Sequence, residues 1–395
     1  MPHTPLLLLA PHIVWPARNG ADITHDELAS SLSKSLPYVD VVGAREVVRY
    51  SSGEPRGRRS HGGEMRPSVW AALRTILRGS NYYIERFNSS GFREEATRCE
   101  DDDRYGAILY SYLTTSSLSR YNDSRSRLVW SHNDEFKWFE DLGSKSVNPL
   151  GKLVARLSLR WLHRYLARRS DSLTLLHVTE ADAAGWLERV PHHRYAVIPI
   201  GVARRGVAPA LIPGRAPRLL FVGALGIRMN LDALQHFADT YEPALRRRFG
   251  KRLHVDIAGS SPLPEVSALC DKRGWHLHPN LSDDAMDALF MDAVASILPF
   301  NYSTGAKLKL LKSLSYGVPV LATPAVEAQA DLISKPSLIS DDPEAWAENL
   351  ARLTERGVDV STRNRLRALT DSHTWDASAE RILEVIADLN ETEGQ

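Results

Sequence analysis

The sequence predicts an α/β protein with two domains, each built around a parallel β-sheet. At 395 residues the chain exceeds the size at which a single hydrophobic core keeps growing, so two cores are expected. Short apolar segments bounded by Gly or Pro alternate with longer helical segments, which is the order that builds parallel sheets. The alternation starts again in the second half of the chain, after a stretch rich in Gly and Pro.

In the first half, the apolar run Leu6–Ala10 ends at Pro11. It has no basic leader and is too short for the core of a signal peptide, so it is predicted as the first strand. Residues 51–66 are rich in arginine and glycine without an apolar period, and a mobile loop is predicted there. The other predicted strands are Val39–Val42, Tyr105–Tyr110, Leu128–Ser131 and Ala196–Ile198, and the predicted helices are Thr24–Ser35, Pro67–Leu77, Gly151–Arg169 and Glu180–Val190.

In the second half, the same rules predict strands at Leu219–Gly223, Leu253–Gly259, Ala295–Pro299 and Val318–Thr323, and a closing helix at Ala377–Leu389. The segment from Ile198 to Pro217 reads as a linker. We therefore divide the chain into an N-terminal domain (1–203), a C-terminal domain (204–375) and a closing helix with its tail (376–395).

Composition excludes several classes of protein. The hydrophobic and charged fractions, 43% and 25%, are those of a globular protein. The net charge of +1 gives no sign of nucleic-acid binding. No apolar stretch reaches the roughly 20 residues that cross a bilayer. Cys99 and Cys270 are too few and too far apart for a disulfide framework or a zinc site, so reduced, packed thiols and a cytoplasmic location are expected.

The segment from Ser303 to Val320 carries the most chemical information. Small hydroxyl residues and Gly305 follow a predicted strand and lead into a helix that ends at Gly317. The start of such a helix presents unpaired N–H groups and a positive dipole end, which together bind anions. Lys307 and Lys309 are candidate charges for a phosphate, although lysines at this spacing also occur on solvated helix faces. The carboxyl edge of a parallel sheet is where ligands bind in such folds.

This segment is similar to the pattern Gly-x-Gly-x-Arg-x-Lys-x-x-Glu-Ala-x-x-x-Gly-x-Pro-Val of retaining glycosyltransferases of family 4, which have the GT-B fold. Further similarities to the family cover nearly the whole chain and are weakest between residues 44 and 170. They lie in Pro16–Asp22, Ile198–Val202, Phe221–Gly223, Arg228–Asn230, Ile257–Gly259, Ala322–Pro324, Asp342–Glu344 and Trp375.

The resemblance implies two Rossmann-like domains facing a central cleft, with the nucleotide sugar bound by the C-terminal domain and the acceptor by the N-terminal domain. Arg228 and Lys307 would hold the diphosphate, and His132, at the end of a predicted strand, would face the donor sugar as the third catalytic residue. A lone histidine is also commonly structural. The donor-binding residues implied are Gly20, Gly223, Ser303, Thr304, Gly305, Ala306, Lys309 and Lys312. The family's chemistry needs no metal and no cofactor other than the donor.

The chain departs from the family pattern at one pair of positions. The two acids of the family's Glu-x7-Glu fall on Thr304 and Lys312. An ammonium donates hydrogen bonds but cannot accept them, so the usual contact to the ribose hydroxyls cannot form at Lys312. The identity of the donor therefore stays open.

Other candidate features have structural alternatives. Asp134 and Glu135 could orient an acceptor hydroxyl or simply cap the following helix. The run Glu100–Asp103 contains an Asp-x-Asp pattern but precedes a predicted strand and has no partnering ligands spaced around it, which favours a solvated acidic turn over a metal site.

The helix Gly151–Arg169 carries a basic residue at every fourth position next to an apolar row. This pattern fits peripheral contact with an anionic membrane at its inner face, or a helix packed on its sheet with a basic outer face.

Together these features predict a retaining, metal-independent hexosyltransferase. It would move a sugar from a nucleotide diphosphate sugar to a glycan or lipid-linked acceptor in polysaccharide or glycoconjugate biosynthesis. A nucleotide-sugar-binding protein that has lost catalysis, prompted by Lys312, and a sugar-nucleotide epimerase are the alternatives. A Rossmann oxidoreductase is disfavoured because no Gly-x-Gly-x-x-Gly with a following acid comes after a predicted strand.

Overall fold

The computed structural model describes residues 4–11, 20–61, 67–119, 125–132, 134–145, 148–169, 172–191, 193–301, 308–326 and 335–393. These residues form two compact units. The first unit contains the described residues up to 201 together with the C-terminal residues 375–393, and the second contains the described residues of 202–374. Each unit has its own sheet, and the predicted α/β class with two parallel-sheet domains is confirmed.

The sheet of the first unit has the strand order β4-β3-β2-β1-β5-β6-β7-β8. Six strands that are adjacent in this order, β2, β1, β5, β6, β7 and β8, run parallel to one another. The strand β3 runs antiparallel to both of its neighbours, β2 and β4. The strands are β1 (Leu6–Leu9), β2 (Val39–Val42), β3 (Glu46–Ser51), β4 (Glu54–Ser60), β5 (Ala107–Ser111), β6 (Ser126–Ser131), β7 (Thr174–His177) and β8 (Arg194–Val197).

Helices cover this sheet and bury its apolar strands. Polar caps fix several of their starts, since Ser89 accepts from the N–H of Phe92 and Thr179 from that of Asp182. The helices are α1 (Gly20–Leu32), α2 (Ser68–Arg78), α3 (Tyr82–Phe87), α4 (Ser90–Glu100), α5 (Leu113–Ser116), α6 (Glu135–Lys145), α7 (Pro149–Ala167), α8 (Glu180–Arg189) and the C-terminal α16 (Trp375–Glu393), which packs against α1. None of the helices in the described part of the chain has both the length and the apolar character needed to span a bilayer.

The prediction of a mobile loop at residues 51–66 is wrong for its first part, because Glu54–Ser60 forms the edge strand β4. The apolar alternation that identifies a strand is missing since the side chains of β4 are mostly exposed. Ion pairs fasten it instead: Arg58 binds Glu46, and Arg59 binds Glu95 through both carboxylate oxygens. The hydrogen bonds from Arg59 lower the pKa of Glu95 to about 2. Residues 62–66 lie outside the described part.

The second unit has a parallel sheet with the strand order β11-β10-β9-β12-β13-β14. Its strands are β9 (Arg218–Val222), β10 (His254–Gly259), β11 (His276–Pro279), β12 (Ala295–Leu298), β13 (Val320–Ala322) and β14 (Leu338–Ile339). Its helices are α9 (Arg228–His236), α10 (Glu242–Phe249), α11 (Pro264–Arg273), α12 (Asp283–Asp292), α13 (Leu308–Ser315), α14 (Pro343–Arg356) and α15 (Val360–Ala368).

Candidate active site

The sheet of the second unit reverses its winding between β9 and β12. From β9 the chain builds outward through β10 and β11, and it then returns to β12 on the other side of β9 and continues through β13 and β14. Helices that leave the ends of β9 and β12 turn in opposite directions, which opens a crevice at the carboxyl ends of these two strands. Gly223 directly follows β9 at this point, and Phe300 lies two residues beyond the end of β12.

Lys309 lies at this crevice, in the first turn of α13. Its ammonium is 5.3 Å from the centre of the Phe300 ring, and its side chain passes directly over Gly223. A Cβ added to Gly223 would lie 2.8 Å from Cε of Lys309 and 3.1 Å from Nδ2 of Asn230. Glycine at position 223 therefore leaves room for the side chain of Lys309. The structure thus brings Gly223 and Lys309 together, and both were predicted to bind the donor.

The loop between β9 and α9 is held by polar and backbone contacts. The buried side chain of Asn230 donates from Nδ2 to the carbonyl of Ala224 at 2.7 Å. A Cβ on Gly259 would lie only 1.6 Å from the carbonyl oxygen of Gly223, so the ends of β9 and β10 need glycine for their close approach. These contacts hold the loop in its conformation.

Arg228 is the first residue of α9 and is well exposed, with 67% of its side chain accessible. Its Nε donates to Oδ1 of Asp232, one turn further along the same helix, at 2.9 Å. Exposed i, i+4 pairs of this kind are weak, about 0.3–0.5 kcal/mol, so a phosphate can compete for the guanidinium at little cost.

Lys312 lies one turn beyond Lys309 and contacts α12, with its ammonium 5.7 Å from the centre of the Phe290 ring. Burial lowers the pKa of Lys312, and the charge of Arg205 lowers it further, while Asp283 and Asp287 act in the opposite direction. The ammonium at the position of the family acid is therefore half-buried among charges of both signs. Ser303, Thr304, Gly305, Ala306 and Lys307 lie outside the described residues.

The sheet of the first unit reverses its winding between β1 and β5, which are neighbours although β2 to β4 lie between them in the chain. Three polar side chains meet close to the carboxyl ends of β5 and β6. The hydroxyl of Ser111, the last residue of β5, is 2.6 Å from Nε2 of His25 and 2.9 Å from Nε2 of His132. A hydroxyl has one proton and can donate to only one of the two rings, so at least one imidazole donates its Nε2–H to Ser111. The tautomers of the two histidines are coupled through Ser111.

Aromatic rings surround His132, which directly follows β6. The ring centres of Trp130 and Tyr112 are 4.4 and 4.8 Å from that of His132, and the ring of His25 meets it edge-on at 5.5 Å. Tyr112 has a φ of 70°, a left-handed conformation that is costly for a bulky residue, and its N–H is held by the carbonyl of Trp130 at 2.9 Å. The surroundings thus fix the orientation of the His132 ring.

Asp134 and Glu135 stand at the start of α6 but make different contacts. Oδ1 of Asp134 accepts from the N–H of Lys137 at 3.0 Å, which is a helix-capping contact. Glu135 is buried, and its Oε1 accepts from the N–H of Leu113 at 3.2 Å. Burial raises the pKa of Glu135 to about 8, and the charge of Asp134 adds to the rise. Glu135 therefore holds a proton at neutral pH.

The remaining candidates of the first unit are placed as follows. Gly20 is the first residue of α1. In the acidic run Glu100–Asp103, Glu100 accepts from the hydroxyl of Tyr110 at 3.2 Å, and Asp102 pairs with Arg104 at 2.7 Å. These carboxylates serve contacts inside the unit.

His25 and Ser111 were not identified from the sequence. His25 lies within α1, and 86 residues separate it from Ser111, so no local spacing links the two. The usable signal for Ser111 is its place directly after the buried strand run from Ala107 to Tyr110, at the edge of the sheet where His132 is also expected.

Comparisons with known proteins agree with this arrangement. Residues 216–356 match the family model of glycosyl transferases group 1. Sucrose-phosphate synthase from Thermosynechococcus elongatus has a similar structure, with a TM-score of 0.71 and 15% identity over 98% of this chain and 100% of that one. The lipopolysaccharide outer core galactosyltransferase WaaB has a TM-score of 0.59 and 10% identity over 97% of this chain and 99% of that one. A glycosyltransferase from Rickettsia africae has a TM-score of 0.62 and 10% identity over 98% and 99%. A search of the curated proteins found no significant match.

The chain thus has the fold of GT-B glycosyltransferases. The predicted resemblance to glycosyltransferases is confirmed by the group 1 family model over residues 216–356. This segment contains Gly223 directly after β9, Arg228 on α9 and Lys309 on α13.

Proposed function

We propose that this protein is a retaining glycosyltransferase that uses a nucleotide diphosphate sugar. In our proposal it transfers a hexose-type sugar to a glycan or lipid-linked acceptor in polysaccharide or glycoconjugate biosynthesis. The observation that carries the proposal is the position of Lys309 over Gly223 at the switch point of the second sheet. The ammonium of Lys309 offers a positive charge to a diphosphate, and the glycine at the strand end lets the diphosphate approach the backbone closely.

The residues of the second unit suit the departure of a nucleoside diphosphate. When the bond between the sugar and its phosphate breaks, the sugar becomes oxocarbenium-like and the phosphate gains negative charge. Lys309 at the crevice, with Arg228 and Lys307, would stabilise that charge. In the retaining reaction the acceptor oxygen bonds to the anomeric carbon on the face that the phosphate leaves, and the leaving phosphate oxygen takes the acceptor's proton. This sequence uses neither a protein nucleophile nor a metal.

In the first unit, we assign His132 to the donor sugar, as the family resemblance suggests. Its contact with Ser111 supports the assignment, because a ring that is held in one orientation can make a directional hydrogen bond. Asp134 and Glu135 stay candidates for the acceptor side.

The first experiment identifies the donor. A thermal-shift screen of nucleoside diphosphates and their sugars should reveal one that raises Tm, and the rise should grow with the logarithm of its concentration above its Kd. Release of the nucleoside diphosphate is then measured with that donor and a panel of glycan and lipid acceptors. Acceptor-dependent release is expected. Release of a changed sugar without acceptor would indicate an epimerase, and donor binding without turnover on every acceptor would indicate a binding protein.

The second experiment tests the assigned cations. Lys307→Ala and Lys309→Ala should each lower kcat/KM by about a hundredfold or more, because charge-assisted contacts to phosphate are lost where charge develops. Lys251→Ala is the matched control, since this lysine is exposed in the same unit beside β10. Unaltered turnover in both the Lys307→Ala and the Lys309→Ala variants would reject the proposed diphosphate site.

A further inference from the structure

Helix α2 exposes its apolar side. Val69, Trp70, Leu73 and Leu77 keep 69%, 63%, 41% and 83% of their surface accessible. Their spacing places them within about 100° of the helix circumference, at 100° per residue, so they form a single face. The side turned to the protein is instead made of Ala71 and Thr75, which are buried.

This orientation is the reverse of what an ordinary surface helix shows. Single exposed apolar side chains are common, but a contiguous group of large ones marks an interaction site. The neighbouring helix α7 packs against α2 and adds exposed Leu150 and Leu153, 56% and 37% accessible. The helix that follows α2 is also joined to α7, because the N–H of Tyr82, the first residue of α3, donates to the hydroxyl of Ser158 at 3.0 Å.

The charges on these two helices are all of one sign. Residues 67–78 and 148–169 contain no Asp or Glu. Their basic residues are Arg74, Arg78, Lys152, Arg156, Arg160, Arg164, Arg168 and Arg169. The side chains that α7 buries are Val154, Ala155, Ser158, Leu162 and Leu166, which leaves its regularly spaced basic residues on the exposed side.

The two arginines of α2 lie along one side of its apolar face, and both contact a carboxylate of α3. The buried carboxylate of Glu85 on α3 binds Nε of Arg74 at 2.9 Å and lies 3.6 Å from Arg78. Their guanidinium groups therefore keep fixed positions at the border of the apolar face.

We propose that α2 and α7 form a docking surface for anionic lipid bilayers, into which Trp70 and Leu77 insert. An exposed apolar face bordered by arginines matches the depth profile of a membrane surface, where apolar side chains enter the acyl region and cations remain among anionic headgroups. A protein partner would need to supply an acidic rim around an apolar pocket, whereas an anionic bilayer supplies both at once. The proposal uses no residue assigned to sugar transfer, so it stands independently of the proposed reaction.

The test is co-sedimentation of the full chain with vesicles of phosphatidylcholine alone or mixed with phosphatidylglycerol. Binding to the mixed vesicles is expected, and it should fall several-fold when the salt concentration rises because surface charges are screened. Trp70→Ser combined with Leu77→Ser should lower the partition coefficient at least about tenfold, since both inserted side chains are lost. Arg156→Ser combined with Arg160→Ser should lower binding to the mixed vesicles while Tm stays unchanged.

Ile212→Ser combined with Val360→Ser is the matched control, because these side chains are 74% and 52% exposed in the second unit. This control should bind like the original protein. Equal binding to neutral vesicles, or binding that survives the Trp70 and Leu77 changes, would overturn the proposal. So would absence of vesicle binding together with a dimer that dissociates in the same double variant, because the apolar face would then join two copies of the chain.

Discussion

Glu135 should make the first unit less stable as the pH rises, because its carboxyl is neutral in the folded chain. Between pH 4.5 and about 8, its carboxyl is protonated in the folded chain and ionised in the unfolded one, since burial raises its folded pKa to about 8 from 4.5. The folded state then binds one more proton than the unfolded state, so the free energy of unfolding decreases as the pH rises through this window. Glu135→Gln has the same shape, can still accept from the N–H of Leu113, and cannot ionise.

The size of the effect follows from the width of that window. Each pH unit contributes about 1.4 kcal/mol for one proton, so the interval from pH 4.5 to about 8 corresponds to about 5 kcal/mol, and that from pH 5 to 7.5 to about 3 kcal/mol. The stability of the Glu135→Gln variant relative to the original protein should therefore grow by about 3 kcal/mol over the second interval. Above about pH 8 the difference should stop growing.

Hydrogen exchange of peptides from β5 and β6, corrected for intrinsic rates, reports the opening of this unit without requiring that the whole chain unfold in one step. Both proteins are measured at pH 5 and 7.5, so that other titrating groups cancel in the difference. Glu140→Gln, at an exposed position of the same helix, is the control and should run parallel to the original protein. Parallel pH profiles for Glu135→Gln as well would refute the buried, neutral carboxyl.

Three further substitutions separate packing from function. Gly223→Ala should raise the donor KM with little change of Tm, because its Cβ displaces the flexible end of Lys309 and requires Asn230 to shift by only a few tenths of an ångström. Steady-state kinetics with a melting curve will show whether KM alone changes. Gly259→Ala, whose Cβ would meet the Gly223 carbonyl, should lower the free energy of unfolding by about 2 kcal/mol or more; an unchanged melting curve would contradict that packing. Ser111→Ala should lower kcat by about tenfold to a hundredfold and shift the pH profile of kcat at constant donor KM, because His132 loses its link to His25. An unaltered pH profile would show that this link has only a structural role.

Strands with an apolar run were accessible from the sequence because burial on both faces leaves a clear pattern. Val39–Val42 was predicted with the bounds that the structure shows. The strand β4 was missed because it is stabilised by ion pairs to carboxylates far along the chain, and such partners leave no local period. A local sequence pattern indicates which side chains are buried. It does not indicate contacts with residues that are distant in the chain.

The same distinction holds in the candidate site. Gly223 and Lys309 were predicted from motifs, and the structure places them side by side. Arg228 was predicted from its family-like segment, whereas its place in the first turn of α9 and its ion pair with Asp232 became apparent only from the structure. The exposed apolar face of α2 was also not foreseen, since an apolar period shows that a helix has two faces without showing which of them meets the core.

Isothermal titration calorimetry with UDP, GDP and ADP tests the central claim most directly, because binding of the leaving nucleotide needs neither the sugar nor the acceptor to be known. We predict that one of these nucleotides binds, that Lys309→Ala weakens its affinity by about tenfold or more, and that Lys251→Ala leaves it unchanged. If no nucleoside diphosphate binds, or if the selected one binds Lys309→Ala as tightly as the original protein, the crevice beside Gly223 is not a diphosphate site.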